Sequence, residues 1–293
     1  MHHLCVVISY WVGSSPKFLY KLIDQIVNIK DELSFPIVLV CNGGTDIFFS
    51  LPRKFKKYNI EIVNRPNSGF NIAAWEEGWR SIEAKNYLFI QDDCFILDDN
   101  WYSGFIDRFH SDPTLGLLGE RTNPNWDKAW SELKQSYFNQ VVHYYDVASG
   151  FDLFPNVDNY LDYLKTHNIP CGEKADHLQS LVLFTTRDVL LEIDGFPLPD
   201  NDTKGRAVAA EIAISKKIQS RGYRIDIVGK HPFTYIGHRE WTDSKFYQAS
   251  IIKLLQNKIR KVILFKKQQE REIKYILLSE AEAMQIAKSS PEK

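Results

Sequence analysis

The sequence predicts an α/β fold, a mostly parallel, doubly wound sheet with helices on both faces, and three observations carry that prediction. Its strand-like segments are apolar throughout rather than alternating, as strands covered on both faces must be. They are interleaved with segments of helical periodicity. Polar clusters fall just where separate strands end, which is where such sheets gather ligands.

LCVVISY, residues 4–10, is a short β-rich run, and Ser15 followed by Pro16 reads as an N-cap and first helical position. Phe18, Leu19, Leu22, Ile23, Ile26, Val27 and Ile29 then recur at helical spacing. FPIVLV, residues 35–40, is an apolar strand closed by the turn-former NGGTD, and IEIVN, residues 60–64, is a third strand. NSGFNIAAWEEGWRSI is a Gly-bearing loop running into a helix, and YLFIQ is a fourth strand. LGLLGE, from residue 115, is another. An insert of different texture, 120–178, follows, crowded with Trp126, Trp130, Tyr137, Phe138, Tyr144, Tyr145, Phe151, Phe154, Tyr160 and Tyr163. The core pattern resumes with SLVLFTTRDVLLEIDGF, residues 180–196, and passes through PLPDNDTKGR into a helix containing Glu211, with Gly222 as its C-cap. YRIDIV reads as the last strand and HPFTYIGHREW as a loop with two histidines.

With 36 basic and 37 acidic side chains there is no global field to recruit nucleic acid, so nucleic acid is not an expected partner. Cys5, Cys41, Cys94 and Cys171 are far apart and show no paired metal spacing, which fits a reducing compartment. MHHLCVVISY runs directly into a strand, without a basic leader or an apolar stretch near the ~20 residues that span a bilayer. The expected location is cytoplasmic. The organisation expected is a catalytic domain over 1–245, with the aromatic-rich insert on its acceptor side, and a helical extension over 246–293.

LFIQDDCFIL, residues 88–97, places two carboxylates inside an apolar run. A buried carboxylate without a partner costs several kcal/mol, so Asp92 and Asp93 either end the strand, hold a cation, or cap the next turn. Ser9 with Tyr10, and Asn42 to Asp46, end two other strands at the same edge.

The order strand–NGGTD, NSGFNIAAW, QDDC, and DGF with an acidic residue eleven positions before Gly222, followed by a late histidine, resembles the inverting family 2 glycosyltransferases of GT-A fold. The resemblance covers residues 4 to about 240. It implies that Asp93 is the metal ligand closing a DxD-type motif, with Asp92 in the middle and Gln91 where the first Asp usually stands. Cys41 replaces the first acidic residue of the nucleotide loop, Trp75 replaces the second Asn of an N-x-G…A…N-x-G pattern that keeps Asn67, Gly69 and Ala73, and Gly78 comes one residue late.

Sugar transfer from a nucleotide diphosphate needs its developing phosphate charge stabilised, and a divalent cation does this as a Lewis acid. Mn²⁺ or Mg²⁺, hard ions preferring oxygen, would be held by Asp93. His238 matches a late histidine serving as second ligand or phosphate contact. Arg239 beside it pairs with phosphate oxygens or is a surface charge. On the donor side fall Ser9, Tyr10 as a stacking face for the base, Asn42 and Asp46 toward base or ribose, Asn67 and Asp92; turn chemistry explains NGGTD nearly as well. Glu211 falls where the family places its general base. Partial burial is expected to raise its pKa, and the alternative is a first-turn carboxylate favoured by the helix dipole. Aromatic faces bury the apolar side of a sugar, so Trp126 and Trp130, with Asp176, His177 and Gln179 closing the insert, are expected to face the acceptor.

Between Lys253 and Lys274 lie eight basic and two acidic residues, with Ile252, Leu255, Ile259, Val262, Ile263, Ile273 and Ile276 at roughly helical spacing. Such a helix lies on an anionic membrane, or packs on the catalytic domain or another subunit; both readings stay open.

The function expected is therefore a metal-dependent inverting glycosyltransferase. It would move a sugar from a nucleotide-diphosphate donor to a hydroxyl of a glycan or lipid-linked acceptor, in surface polysaccharide synthesis. Two rivals are a sugar-phosphate nucleotidyltransferase, disfavoured because SYWVGSSPK offers one Gly, and a non-catalytic glycan-binding protein, suggested by Cys41 and Gln91.

Overall fold

The computed structural model describes residues 1–28, 35–43, 49–124, 126–135, 157–200 and 202–242. Ile29, Asp46, the aromatics from Tyr137 to Phe154 and the basic segment 251–278 lie outside the described residues.

In chain order the described elements are β1 (His2–Trp11), α1 (Lys17–Val27), β2 (Ile37–Asn42), β3 (Ile60–Arg65), α2 (Phe70–Ser81), β4 (Ala84–Gln91), β5 (Cys94–Ile96), α3 (Trp101–His110) and β6 (Leu115–Gly119). They continue with α4 (Trp130–Gln135), α5 (Val157–Thr166), β7 (Val182–Thr186), α6 (Arg187–Glu192), α7 (Lys204–Gln219), β8 (Arg224–Ile227) and β9 (Ile236–His238). Seven strands form one sheet in the order β3-β2-β1-β4-β7-β6-β8, while β5 and β9 pair separately. Neighbours β3, β2, β1 and β4 run parallel, as do β6 and β8; β7 alone is antiparallel to both its neighbours. Among the described residues no helix is long and apolar enough to cross a membrane.

The apolar runs end up where double burial demands. On β1, Cys5 and Val7 face one core, and Leu4, Val6, Ile8 and Tyr10 the other. The first core is closed by α2 and α7 through Ile72, Trp75, Trp79, Ala209, Ile212 and Ala213. The second is closed by α1 and α3 through Leu19, Leu22, Ile23, Ile26, Trp101 and Phe105. The edge strands β3 and β8 are the ones that remain partly open.

Two glycines set how α2 enters and sits. Gly69, at φ 70°, takes the left-handed conformation at the helix start that a side chain disfavours. At Gly78 a Cβ would fall 2.4 Å from Val7 Cγ1 and 3.1 Å from Val40 Cγ2, so its absence lets the helix lie close on β1 and β2.

Two readings of the loops need correction. YRIDIV is not the last strand, because the histidine loop carries β9, three residues paired antiparallel with β5, with Cys94 opposite His238. Its three residues, one of them Gly, are too short to show a strand period. The first helix begins at Lys17 with Pro16 in the N-cap place, not Ser15, a shift within the ordinary uncertainty of helix ends.

Candidate functional site

β1, β2 and β4 run the same way, so Trp11, Asn42 and Gln91 finish together at one sheet edge. The antiparallel β7 starts at that edge, which brings Ser180 beside them. Asp92 and Asp93 form the tight turn between β4 and β5, with Asp92 N–H donating to Ser9 O at 3.1 Å.

Asp93 and His238 are brought together by the β5–β9 pair: His238 Nε2 lies 2.9 Å from Asp93 Oδ1. The two atoms are close yet poorly aligned, since both are buried and neither makes a hydrogen bond. Together with the Cys94 thiol they form a cluster with metal-ligating atoms all within 4.8 Å of one another. Cys94 is a poor member. Burial and the neighbouring Asp93 hold its thiol well above the usual range, and it donates to Leu181 O at 3.6 Å. The donor set that remains, one carboxylate oxygen and one imidazole nitrogen, suits a hard or borderline divalent ion.

The imidazole sets a condition. His238 Nδ1 accepts the Glu240 N–H at 3.2 Å, so that nitrogen carries no proton and the neutral ring holds its proton on Nε2. In this state Nε2 is a donor, suited to a carboxylate or a phosphate oxygen. To hold a metal through Nε2, His238 would need its proton on Nδ1, which would cost the Glu240 N–H contact.

Asp92 sits deeper. Burial, then the Asp93 charge, push its carboxyl up to about 7, with its own backbone N–H and Arg239 pulling the other way. Arg239 is exposed, its N–H donates to Asp93 O at 3.3 Å, and its guanidinium lies 3.2 Å over the Phe18 ring centroid. Cys41 is buried, and its thiol is pushed up to about 12 by burial and by Asp92. A carboxylate at position 41 would add another buried negative charge beside the pair; a neutral thiol does not.

The second half of the site is a hydrogen-bond relay. Gln91 Nε2 donates to Ser180 O at 2.5 Å, and Asn71 Nδ2 to the same oxygen at 2.8 Å. Ser180 N–H and Oγ–H each donate to Glu211 Oε2 at 2.6 Å. On its other side Glu211 Oε1 is 3.6 Å from His177 Nε2. His177 Nδ1 must donate to Ala175 O, 2.9 Å away. Gln91 thus has a physical reason for standing where an Asp was expected: a carboxylate would face the Ser180 carbonyl without a proton to offer.

Glu211 overturns an expectation about its acidity. Burial does act to raise its pKa, but hydrogen bonding and charge from His177 and the two bonds from Ser180 outweigh it, and the net shift is downward. It is an ionised carboxylate at neutral pH, with its side chain 17% exposed. The dipole alternative falls as well, because α7 starts at Lys204 and Glu211 lies about two turns inside it.

The remaining expected residues divide. Ser9 and Asn42 are at the edge but nearly buried, and Asn42 Oδ1 already accepts from Arg65 Nη1 at 2.6 Å. Tyr10 is 1% exposed, packs on Phe49 and donates to Ser14 O at 2.7 Å, so it offers no open face for a base; the exposed ring at that end of β1 is Trp11. Alternation puts Tyr10 on the core face of Leu4, Val6 and Ile8, whereas Trp11, the last residue of the strand, is left uncovered. Asn67 is exposed in the loop before α2, and Trp75 is a core residue against Phe89.

The residues expected at the acceptor are drawn inward. Trp126 packs edge-on against His177, and Trp130 donates to Cys171 O at 3.1 Å, both in the core. His177 is fully buried, and Asp176 binds Lys216 Nζ at 2.9 Å and Gln219 Nε2 at 2.8 Å. A buried lysine needs that carboxylate, and the signal in the sequence was a Lys on the apolar face of α7.

Sequence reasoning passed over Ser180, Glu120 and Arg65. Glu120 was findable by the rule applied to Asp92, since it follows directly on an apolar strand. Burial pushes its carboxyl up to about 7 against the pull of three backbone N–H groups. Ser180 was not findable, because only the reversed direction of β7 puts it at this edge.

No known family and no curated protein matches the sequence. Solved structures do resemble it in shape. Against the mannosyltransferase PcManGT from Pyrobaculum calidifontis, in complex with GDP-Man and Mn²⁺, the TM-score is 0.48 at 14% identity, over 77% of this chain and 54% of that one. Against S. aureus TarS 1-349 it is 0.46 at 14% identity, over 80% of this chain and 59% of that one. With TarS 1-349 in complex with UDP-GlcNAc it is 0.46 at 15% identity, over 85% and 62%. The chain therefore spans less than two thirds of the length of each.

Proposed function

We propose that this chain is a glycosyltransferase of GT-A-like fold that transfers a sugar, with inversion, from a nucleotide-diphosphate donor to a hydroxyl of a glycan or lipid-linked acceptor. The observation that carries the reading is the pairing, at the ligand edge of the sheet, of Asp93 and His238 as two orphaned buried polar atoms 2.9 Å apart. The ionised Glu211 stands on the other side of Ser180.

Each group has a task in this reading. Asp93, with His238 where its ring proton allows, would hold Mn²⁺ or Mg²⁺, which supplies Lewis-acid stabilisation of diphosphate charge. Arg239, exposed beside Asp92, meets the remaining negative oxygens. Glu211 accepts the proton of the attacking hydroxyl. The Ser180 N–H and Oγ–H bonds keep it charged and fix its orientation, with His177 beside its other oxygen, leaving lone-pair capacity for one more proton. A base with a lowered pKa is weaker but fully ionised, so the acidic limb of activity falls below neutral pH.

The experiment is a screen of nucleotide sugars, with Mn²⁺ and with chelator, reading nucleotide-diphosphate release and product anomeric configuration. Metal-dependent release with inversion supports the proposal. Binding without turnover in every case would leave a glycan- or nucleotide-binding protein, and pyrophosphate production from a sugar phosphate and a nucleoside triphosphate would make it a nucleotidyltransferase.

A further inference from the structure

Glu120 follows directly on β6 and is 1% exposed. A carboxylate that deep requires donors, and it takes them from the backbone of one segment. Thr234 N–H donates to Oε2 at 2.7 Å, and Tyr235 and Ile236 N–H donate to Oε1 at 3.1 and 2.7 Å. Its own carbonyl accepts Phe233 N–H at 3.0 Å. On the far side of the segment, Leu97 and Asp98 N–H donate to Tyr235 O at 2.8 and 3.3 Å. Phe233 holds φ at 59°, a conformation that a bulky residue keeps only where its surroundings impose it.

The segment so gripped leads straight into β9. Ile236 begins that strand, and His238 ends it. Asp93 is held by the turn from β4 to β5 and by Arg239 N–H, and the β5–β9 pairing sets it opposite His238, so the Asp93–His238 distance depends on where β9 starts against β5. We propose that Glu120 is a positioning residue of the donor-side site, setting His238 Nε2 against Asp93 through the backbone of Thr234, Tyr235 and Ile236. An ionised carboxylate suits the role because it has two acceptor oxygens and no donor. Glutamine has nearly the same shape but turns an N–H₂ toward a backbone N–H. The inference rests on reading Asp93 and His238 as the metal- and phosphate-binding pair, and its test is separable from that reading.

In the metal-free protein, Glu120→Gln should speed amide exchange at Thr234, Tyr235 and Ile236 by about tenfold, the factor expected for one lost hydrogen bond. It should also shift the His238 ring resonances, while amides of β1 and β4 exchange at the parent rate. Unchanged exchange with an unmoved ring overturns the proposal; so does a rise spread equally over β1 and β4, which would make Glu120 a general brace. If Glu120→Gln does not fold, Glu120→Asp, which keeps both acceptors but withdraws them by one methylene, is read by the same criteria. Mn²⁺ titration adds the functional arm. Glu120→Gln should weaken Mn²⁺ binding by about 10–100-fold, the usual cost of disturbing a ligand's support, and should cost nothing further in a His238→Ala background. An equal loss in both backgrounds counts against action through His238. A parent protein that binds no Mn²⁺ sinks the metal reading, while the exchange and ring measurements still decide the role of Glu120.

Discussion

Ser180→Ala removes one oxygen from the centre of the relay and should reveal how firmly Glu211 is held as an anion. Ser180 is 6% exposed, so the change exposes little surface, and the backbone N–H bond to Glu211 at 2.6 Å stays. What goes is the Oγ–H bond to Oε2 at 2.6 Å. A bond to an ionised group is worth about 1.5–3 kcal/mol and a neutral one about 0.5–1.5. The folded-state pKa of Glu211 lies below its usual value. Its stabilising effect is therefore present above the unfolded pKa and lost as pH falls through the folded one. The cost of Ser180→Ala should then be about 1.5–3 kcal/mol at pH 7 and should shrink by roughly half once Glu211 is protonated. Urea denaturation of parent and variant at a series of pH values from 7 downward, carried far enough to protonate Glu211 below its depressed folded-state pKa, measures this directly, and at pH 7 the melting point should drop by about 2–4 °C per kcal/mol. A cost that is negligible at pH 7, or equal at both ends of the series, would refute the anion-holding role.

Asp93→Ala should abolish transfer and make nucleotide-diphosphate binding indifferent to Mn²⁺, with the melting point nearly unchanged because the residue is a third exposed; calorimetric titration with and without metal checks it. Glu211→Gln keeps the Ser180 bonds and can donate to a neutral His177, so the fold should hold while the chemical step slows by ~10²–10⁴. Loss of donor affinity on that scale would instead mark Glu211 as a binding residue. Gly78→Ala, which sets a Cβ 2.4 Å from Val7 Cγ1, should cost about 1–3 kcal/mol by overpacking, read as a shifted denaturation midpoint.

Some of this molecule was legible because it depends only on local pattern. The runs at 4–10 and 35–40 had to be doubly covered parallel strands, since almost nothing in them could face water, and from that follows the edge where Asp92 and Asp93 sit. Glu211 stood out as an acidic residue among alanines. The chain's order of residues by itself determined the layered sheet, the edge where its parallel strands end and the identity of the carboxylates there. Direction, pairing and rotation were decided only in three dimensions. Ser180 reaches Glu211 because β7 runs backwards, His238 meets Asp93 because two three-residue strands pair across a separation of more than 140 residues, and Glu120 grips a distant backbone. Tyr10, His177 and Trp126 turned inward for the same reason: which side of a strand or loop a ring takes follows from what packs there, and the packing partners are far away in sequence. That same distance hid the lowered pKa of Glu211, because burial is implied by its neighbours in the chain, whereas the groups that outweigh burial come from residues 177 and 180.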